Sequence, residues 1–156
     1  MQKRSSSMPV LLLILIGLIG GFAVGVQGPM SGVMSQQLGA FSSSLIIHIS
    51  GALASALILV FLGGEKIAEW RNLPAPYFFT GVLGVVLYMT LSVTLPRLGA
   101  GGTVALLVAG QMVVALVVDQ FGWFGVPQNS ISLVRVAGAA LLVAGAYLIS
   151  LSPATN

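Results

Sequence analysis

The chain has 156 residues, of which 57% are hydrophobic and 6% charged, with a formal charge of +3. Ordinary soluble domains carry roughly 25% charged residues, and here none occurs from Ser5 to Gly64, so an integral membrane protein is expected. Cysteine is absent and there are one His and three acidic residues, which excludes disulfides and thiol chemistry and leaves too little for a metal centre or an acid–base pair. No enzyme, cofactor or nucleic-acid partner is therefore expected, and the sparse positive charge reads as a topology signal.

A membrane-spanning helix needs about 20 mostly apolar residues. The first candidate runs from Pro9 to Gly28, with Pro9 suited to a first helical turn. Met1-Gln-Lys-Arg before an apolar run, with Ala23-Val-Gly25 beyond it, also fits a cleaved signal peptide. Four further spans follow, however, and the segment is long enough to cross, so it is expected to remain. Gly17, Gly21 and Gly25 repeat every fourth position, a face that lets another backbone approach. They read as helix packing, within the chain or in a dimer, or as a smooth wall of a substrate path.

GVQGPMSG follows at residues 25–32. Gly28 before Pro29 is ordinary helix-termination chemistry. Yet Met30, Val33, Met34 and Leu38 keep the next stretch apolar, and no charge appears before Glu65. The favoured expectation is an unwound or re-entrant segment facing a cavity, with Gln27, Gly28, Pro29 and Ser31 binding substrate. Irregular backbone at depth is tolerated only where protein or a water-filled cavity satisfies it.

The second span is expected from Phe41 to Leu62 and carries His48, whose side-chain type alone has an unperturbed pKa near neutrality. It is a proton-coupling candidate, or else a neutral ring satisfied by Ser44 one turn earlier. Glu65, Lys66, Glu69 and Arg71 form a solvated interfacial loop. Pro74 and Pro76 mark the start of a third span, Ala75 to Leu95, and Pro96 its exit. The fourth, Ala100 to Val118, holds Gln111 near its middle, either binding substrate or fixing packing through an interhelical hydrogen bond. The fifth runs from Ile131 to Leu151, with Asn129 or Ser130 as N-cap. The whole chain, 1–156, reads as one membrane domain.

Lys3, Arg4, Lys66, Arg71 and Arg135 fall on the side of the N-terminus and only Arg97 on the other. That bias predicts a cytoplasmic N-terminus and an external C-terminus. Arg97 and Asp119 bracket the fourth span, roughly 30 Å apart, and cannot pair within the chain. Asp119 and Arg135 share a side and can. These three are candidate gate or interface residues.

The segment PRLGAGGTVALLVAGQMVVALVVDQFGWFGVPQ, residues 96–128, resembles the most characteristic block of the YdcZ-type half-size proteins of the drug/metabolite transporter superfamily. QGPMSG at 27–32, LGA at 38–40 and Arg135 with Gly138 resemble further parts of the same pattern. Ser31 stands where the family often has Asn, and His48 where many members have an apolar or aromatic residue. The resemblance implies an all-α membrane protein of five transmembrane helices, half of an inverted-repeat ten-helix assembly in a bacterial-type inner membrane. It implies export of a small organic solute or metabolite by an antiparallel dimer.

Inverted repeats commonly place the transport site near the midplane at the repeat interface, and an odd number of spans suits one half of such a repeat. No acidic residue lies in mid-span, which favours a neutral or anionic solute over a strongly cationic one. A five-to-one charge bias should commit each copy to one orientation. A separately encoded homologous partner is therefore favoured over a second copy of this chain, with Arg97 facing the partner's equivalent of Asp119. The alternatives are a small ion channel formed by an inverted dimer and a non-transporting scaffold subunit.

Overall fold

In a computed structural model, residues 9–151 are described; Lys3, Arg4 and the C-terminus, on which part of the topology expectation rests, lie outside them. Helix α1 spans Val10–Leu38, α2 Ala40–Phe61, α3 Thr80–Phe121 and α4 Leu133–Ser150, with short 3-10 turns at Ile67–Asn72, Ala75–Phe79 and Trp123–Gly125. No strand occurs among the described residues. Four helical stretches are long and apolar enough to cross a membrane.

α1 neither stops at Gly28 nor unwinds there. It runs through Pro29 to Leu38. Pro29 has no N–H to give the carbonyl of Gly25, so one helical bond is missing. Ending the helix at mid-depth would instead strand several backbone groups where no water can reach them. One lost bond is the smaller cost, and the chain stays helical. The helix ends one residue before α2 begins, at Gly39, whose φ of 88° only glycine adopts readily. Pro9 is the N-cap rather than a first-turn residue, and its carbonyl accepts from the N–H of Leu12 and Leu13.

Pro96 lies in the last turn of the first half of α3, near the expected exit of the third span. The interruption comes three residues later at Gly99, with φ 67° and ψ 177°. A straight helix of this length would reach about 60 Å. Instead, Tyr88 and Leu91 before Gly99 line one cleft together with Val108 and Gln111 after it. Near the far ends of the two arms, the Tyr77 hydroxyl donates to the carbonyl of Phe124 at 3.3 Å. Residues 80–98 and 100–121 thus fold back on each other as a hairpin. The first arm packs on α1 and α2, where the Leu95 side chain occupies the space a Cβ on Gly32 would need. The second arm packs on α4 through Gly102, 3.5 Å from the Ser150 backbone as measured from its missing Cβ.

α4 is capped by Ser132, whose hydroxyl accepts from Arg135 N–H at 3.4 Å, and not by Asn129 or Ser130. The loop before it is tied down by side chains. Gln120 Oε1 accepts from Ile131 N–H at 2.7 Å, Gln128 donates to the Gln120 carbonyl at 2.8 Å, and Arg135 reaches the Asn129 carbonyl at 3.0 Å.

The interior is small and partly polar. Tyr88, Leu91, Ala109 and Ala146 are buried, and so are Ser31, Ser35, Ser43, Ser44 and Thr103. Large aliphatic side chains point outward. In lipid these gain nothing by turning inward, whereas small residues let backbones close up and hydroxyls find partners. Ser35 and Ser43 Oγ atoms, 2.6 Å apart, join α1 to α2 in this way. Thr103 Oγ1 is buried without a partner. A helical Thr ordinarily bonds the carbonyl four residues back, and here that residue is Gly99, whose backbone is not helical.

Residues 10–24 of α1 are exposed all round. Cβ atoms built on Gly17, Gly21 and Gly25 would meet nothing within 4 Å. Of the readings open for this face, packing within the chain is not the one seen. α1 joins the bundle only through its C-terminal half, where Ser31, Gly32 and Ser35 are buried.

Candidate substrate cleft

Three segments converge on one cleft near the middle of the helices. α1 brings Gln27, Gly28 and Ser31; the first arm of α3 brings Tyr88 and Leu91; the second arm brings Val104, Val108 and Gln111. Gln27 and Ser31 are four residues apart and so share a helical face. Gly28 faces the second arm, where a Cβ would make an ordinary contact with Val104 Cγ2 at 3.8 Å. Leu91 forms part of the floor and is 2% exposed.

Four of the five residues expected to bind substrate, Gln27, Gly28, Ser31 and Gln111, line this cleft although up to 84 positions separate them in sequence (111 minus 27). Pro29 does not. Its effect is on the backbone at Gly25. Gln111 also borders a wider apolar groove between the two arms of α3, which reaches from Thr90 to Asp119.

Tyr88 is the residue that sequence reasoning missed. It is buried, and its hydroxyl accepts from Gln27 Nε2 at 3.4 Å. Its position was a usable signal: Tyr77 and Tyr147 lie near helix ends, whereas Tyr88 brings a hydroxyl to mid-span, where polar groups are costly.

The lining offers two carboxamides, a phenol and a hydroxyl, all able both to donate and to accept hydrogen bonds. It contains no formal charge. The enclosed space is about 50 Å³, room for a few waters, against roughly 300–1,000 Å³ for pockets that hold small organic ligands. One chain supplies a wall of polar groups and not a closed chamber.

His48 is outside the cleft, on the far side of Tyr88. The two rings meet edge to face, with centroids 5.5 Å apart and planes at 84°. His48 Nδ1 lies 2.7 Å from the Ser44 carbonyl oxygen and 3.2 Å from Ser44 Oγ. Its Nε2 would stand 2.6 Å from a Cβ on Gly84. The expected contact with Ser44 is present, mainly to its backbone.

The gate candidates separate. Asp119 and Arg135 form an ion pair, the only one among the described residues, while Arg97 is exposed near the Gly99 turn. Asp119 also accepts Asn129 N–H at its carbonyl at 2.8 Å. Arg135 occupies one carboxylate oxygen of Asp119, Oδ2.

A family model described as "Putative inner membrane exporter, YdcZ" matches residues 12–148. No curated protein and no solved structure matches the chain.

Proposed function

From the premise that this chain belongs to the YdcZ family, a family of multi-pass inner-membrane exporters and not of enzymes, we propose that it exports a small uncharged or anionic organic solute as half of an antiparallel dimer. The carrying observation is the cleft itself. Gln27, Ser31, Tyr88 and Gln111, from three segments, line one cleft near the middle of their helices, yet its space is only about 50 Å³. A homologous, inverted chain facing the cleft would complete the chamber.

Two features support the same reading. Counting the α3 hairpin as two crossings gives five in all, which puts the chain ends on opposite sides and suits one half of an inverted repeat. The arm of α1 at residues 10–24 is long, apolar and unpacked, as a surface covered by another chain would be. The Lys and Arg bias places the N-terminus in the cytoplasm. With no carboxylate in the lining, a cation would find no counter-charge there, whereas the carboxamide, phenol and hydroxyl groups can donate hydrogen bonds to a neutral or anionic solute.

Reconstitution tests the proposal. The chain, alone and with a homologous partner of opposite charge bias, is placed in proteoliposomes and given a panel of neutral, anionic and cationic solutes. Saturable movement of a neutral or anionic solute, abolished in Gln111→Leu with assembly intact, is the expected result. Steep ion conductance without solute competition would instead identify a channel, and transport unaffected by Gln111→Leu would remove the cleft from the mechanism.

A further inference from the structure

We propose that Gly84 and Tyr88 form a seat that makes His48 Nε2 the proton-accepting atom of this transporter, and that Tyr88 is the positioning residue carrying the change to Gln27. The inference deepens the export reading and rests on it. The Ser44 carbonyl can only accept, so His48 Nδ1, 2.7 Å away, keeps its hydrogen in both charge states. Nε2 is then the bare nitrogen of the neutral ring. It sits over Gly84, at a distance where any Cβ would displace the imidazole.

Gly84 and Tyr88 are one turn apart on the same face of α3. The ring that covers Gly84 therefore also meets Tyr88, whose hydroxyl holds Gln27 at the cleft. Among the described residues, no other titratable side chain faces this seat. The helices packed on α2 are α1 and α3. α1 has no titratable residue from Val10 to Leu38. α3 offers Tyr88 here, with Arg97 at the hairpin turn and Asp119 at the distal end. The charged loop after α2 begins about 25 Å further along.

When a proton from water adds to the Nε2 lone pair, the new N–H points at a stretch of helix whose carbonyls are already bonded. An unpartnered charged donor at this depth is costly. The ring, which is exposed and already borders the open groove lined by Ser44, Leu45 and Gly81, swings out of its seat into that groove. That removes the edge contact from Tyr88 and frees its long bond to Gln27.

The chain has a single His and three Tyr, so ¹⁵N-histidine labelling in lipid nanodiscs reports His48 alone, and Tyr88→Phe identifies the Tyr88 signal. In a pH titration the neutral ring is expected to carry hydrogen on Nδ1 with Nε2 bare, and the Tyr88 signal to move with the same midpoint. Gly84→Ala is expected to give a mixture of tautomers, and Tyr88→Phe to uncouple the Gln27 side-chain amide from His48 while leaving the tautomer unchanged. A neutral ring protonated at Nε2, a His48 that does not titrate, or a Tyr88 signal that stays fixed throughout would each overturn the seat. If the signals move together in a protein that carries no solute in the reconstitution, the seat stands and the export reading falls.

Discussion

Gln27 of α1 and Tyr88 of α3, 61 positions apart, meet through a side-chain hydrogen bond of 3.4 Å at the edge of the cleft. Each has a second role there, since both side chains also line the cavity. If a solute replaces this bond when it enters, removing the phenolic oxygen alone should weaken binding without disturbing the fold. Tyr88→Phe is expected to raise the KM for solute about tenfold, one hydrogen bond's worth, and to leave the melting temperature nearly unchanged. Gln111→Leu, which has no such internal partner to compensate, should abolish transport. Unchanged KM in Tyr88→Phe would assign Tyr88 to packing.

Close packing of α1 on α3 depends on Gly32, where Leu95 already fills the place of a Cβ. Gly32→Ala should destabilise the chain by about 1–3 kcal/mol through overpacking, with partial recovery on adding Leu95→Val. Gly21→Ala meets nothing within the chain and should leave the monomer at least as stable, because Ala favours helix over Gly. Thermal unfolding in detergent compares the two. A lower dimer fraction in Gly21→Ala would locate the α1 arm at the interface, and equal melting temperatures for both variants would contradict the Gly32 contact.

The reach of the sequence differs from residue to residue for physical reasons. Gln27, Ser31 and Gln111 stand out because a polar side chain in an apolar run is costly, and the cleft does gather them. Tyr88 was hidden by its aromatic mass, which passes for ordinary packing. Pro29 misleads in the same way. In water it signals an end to a helix, but within the span the cost of freeing several backbone groups exceeds that of one missing bond, and the helix continues. Pro96, by contrast, does stand in the last turn before a break. The interruption falls at Gly99, which composition does not distinguish from its glycine neighbours Gly101 and Gly102. For the face of Gly17 and Gly21 the spacing alone left several roles open, and within this chain nothing meets it.

Asp119 and Arg135 clamp the loop between the second arm of α3 and α4, each about a quarter to a third exposed (side chains 26% and 30%). At that exposure solvent screens the pair, and a coupling of roughly 1 kcal/mol is expected. A double-mutant cycle of Asp119→Asn and Arg135→Gln measures it by thermal unfolding. Transport should survive Asp119→Asn with at most a few-fold loss. Abolished transport with unchanged stability would show that Asp119 acts outside this chain, as a gate.

The partner is the remaining question. An inverted repeat requires an oppositely oriented unit, yet five of the six Lys and Arg residues fall on one side in the five-crossing topology. That bias should fix nearly every copy with its N-terminus in the cytoplasm. A Cys introduced at Asn156 should then react with an impermeant reagent applied outside, and one at Ser5 should not; the cysteine-free background makes both readings direct. Expressed alone, the chain should be a monomer or an inactive oligomer. A homologue with opposite bias should restore an antiparallel pair, detected by crosslinking from Cys substituted at Gly17 or Gly21 on the uncovered α1 face. Equal labelling of Ser5 and Asn156 variants, together with an active antiparallel homodimer, would sink the heterodimer. It would also show that a net bias of four positive charges (five minus one) does not decide orientation in this chain.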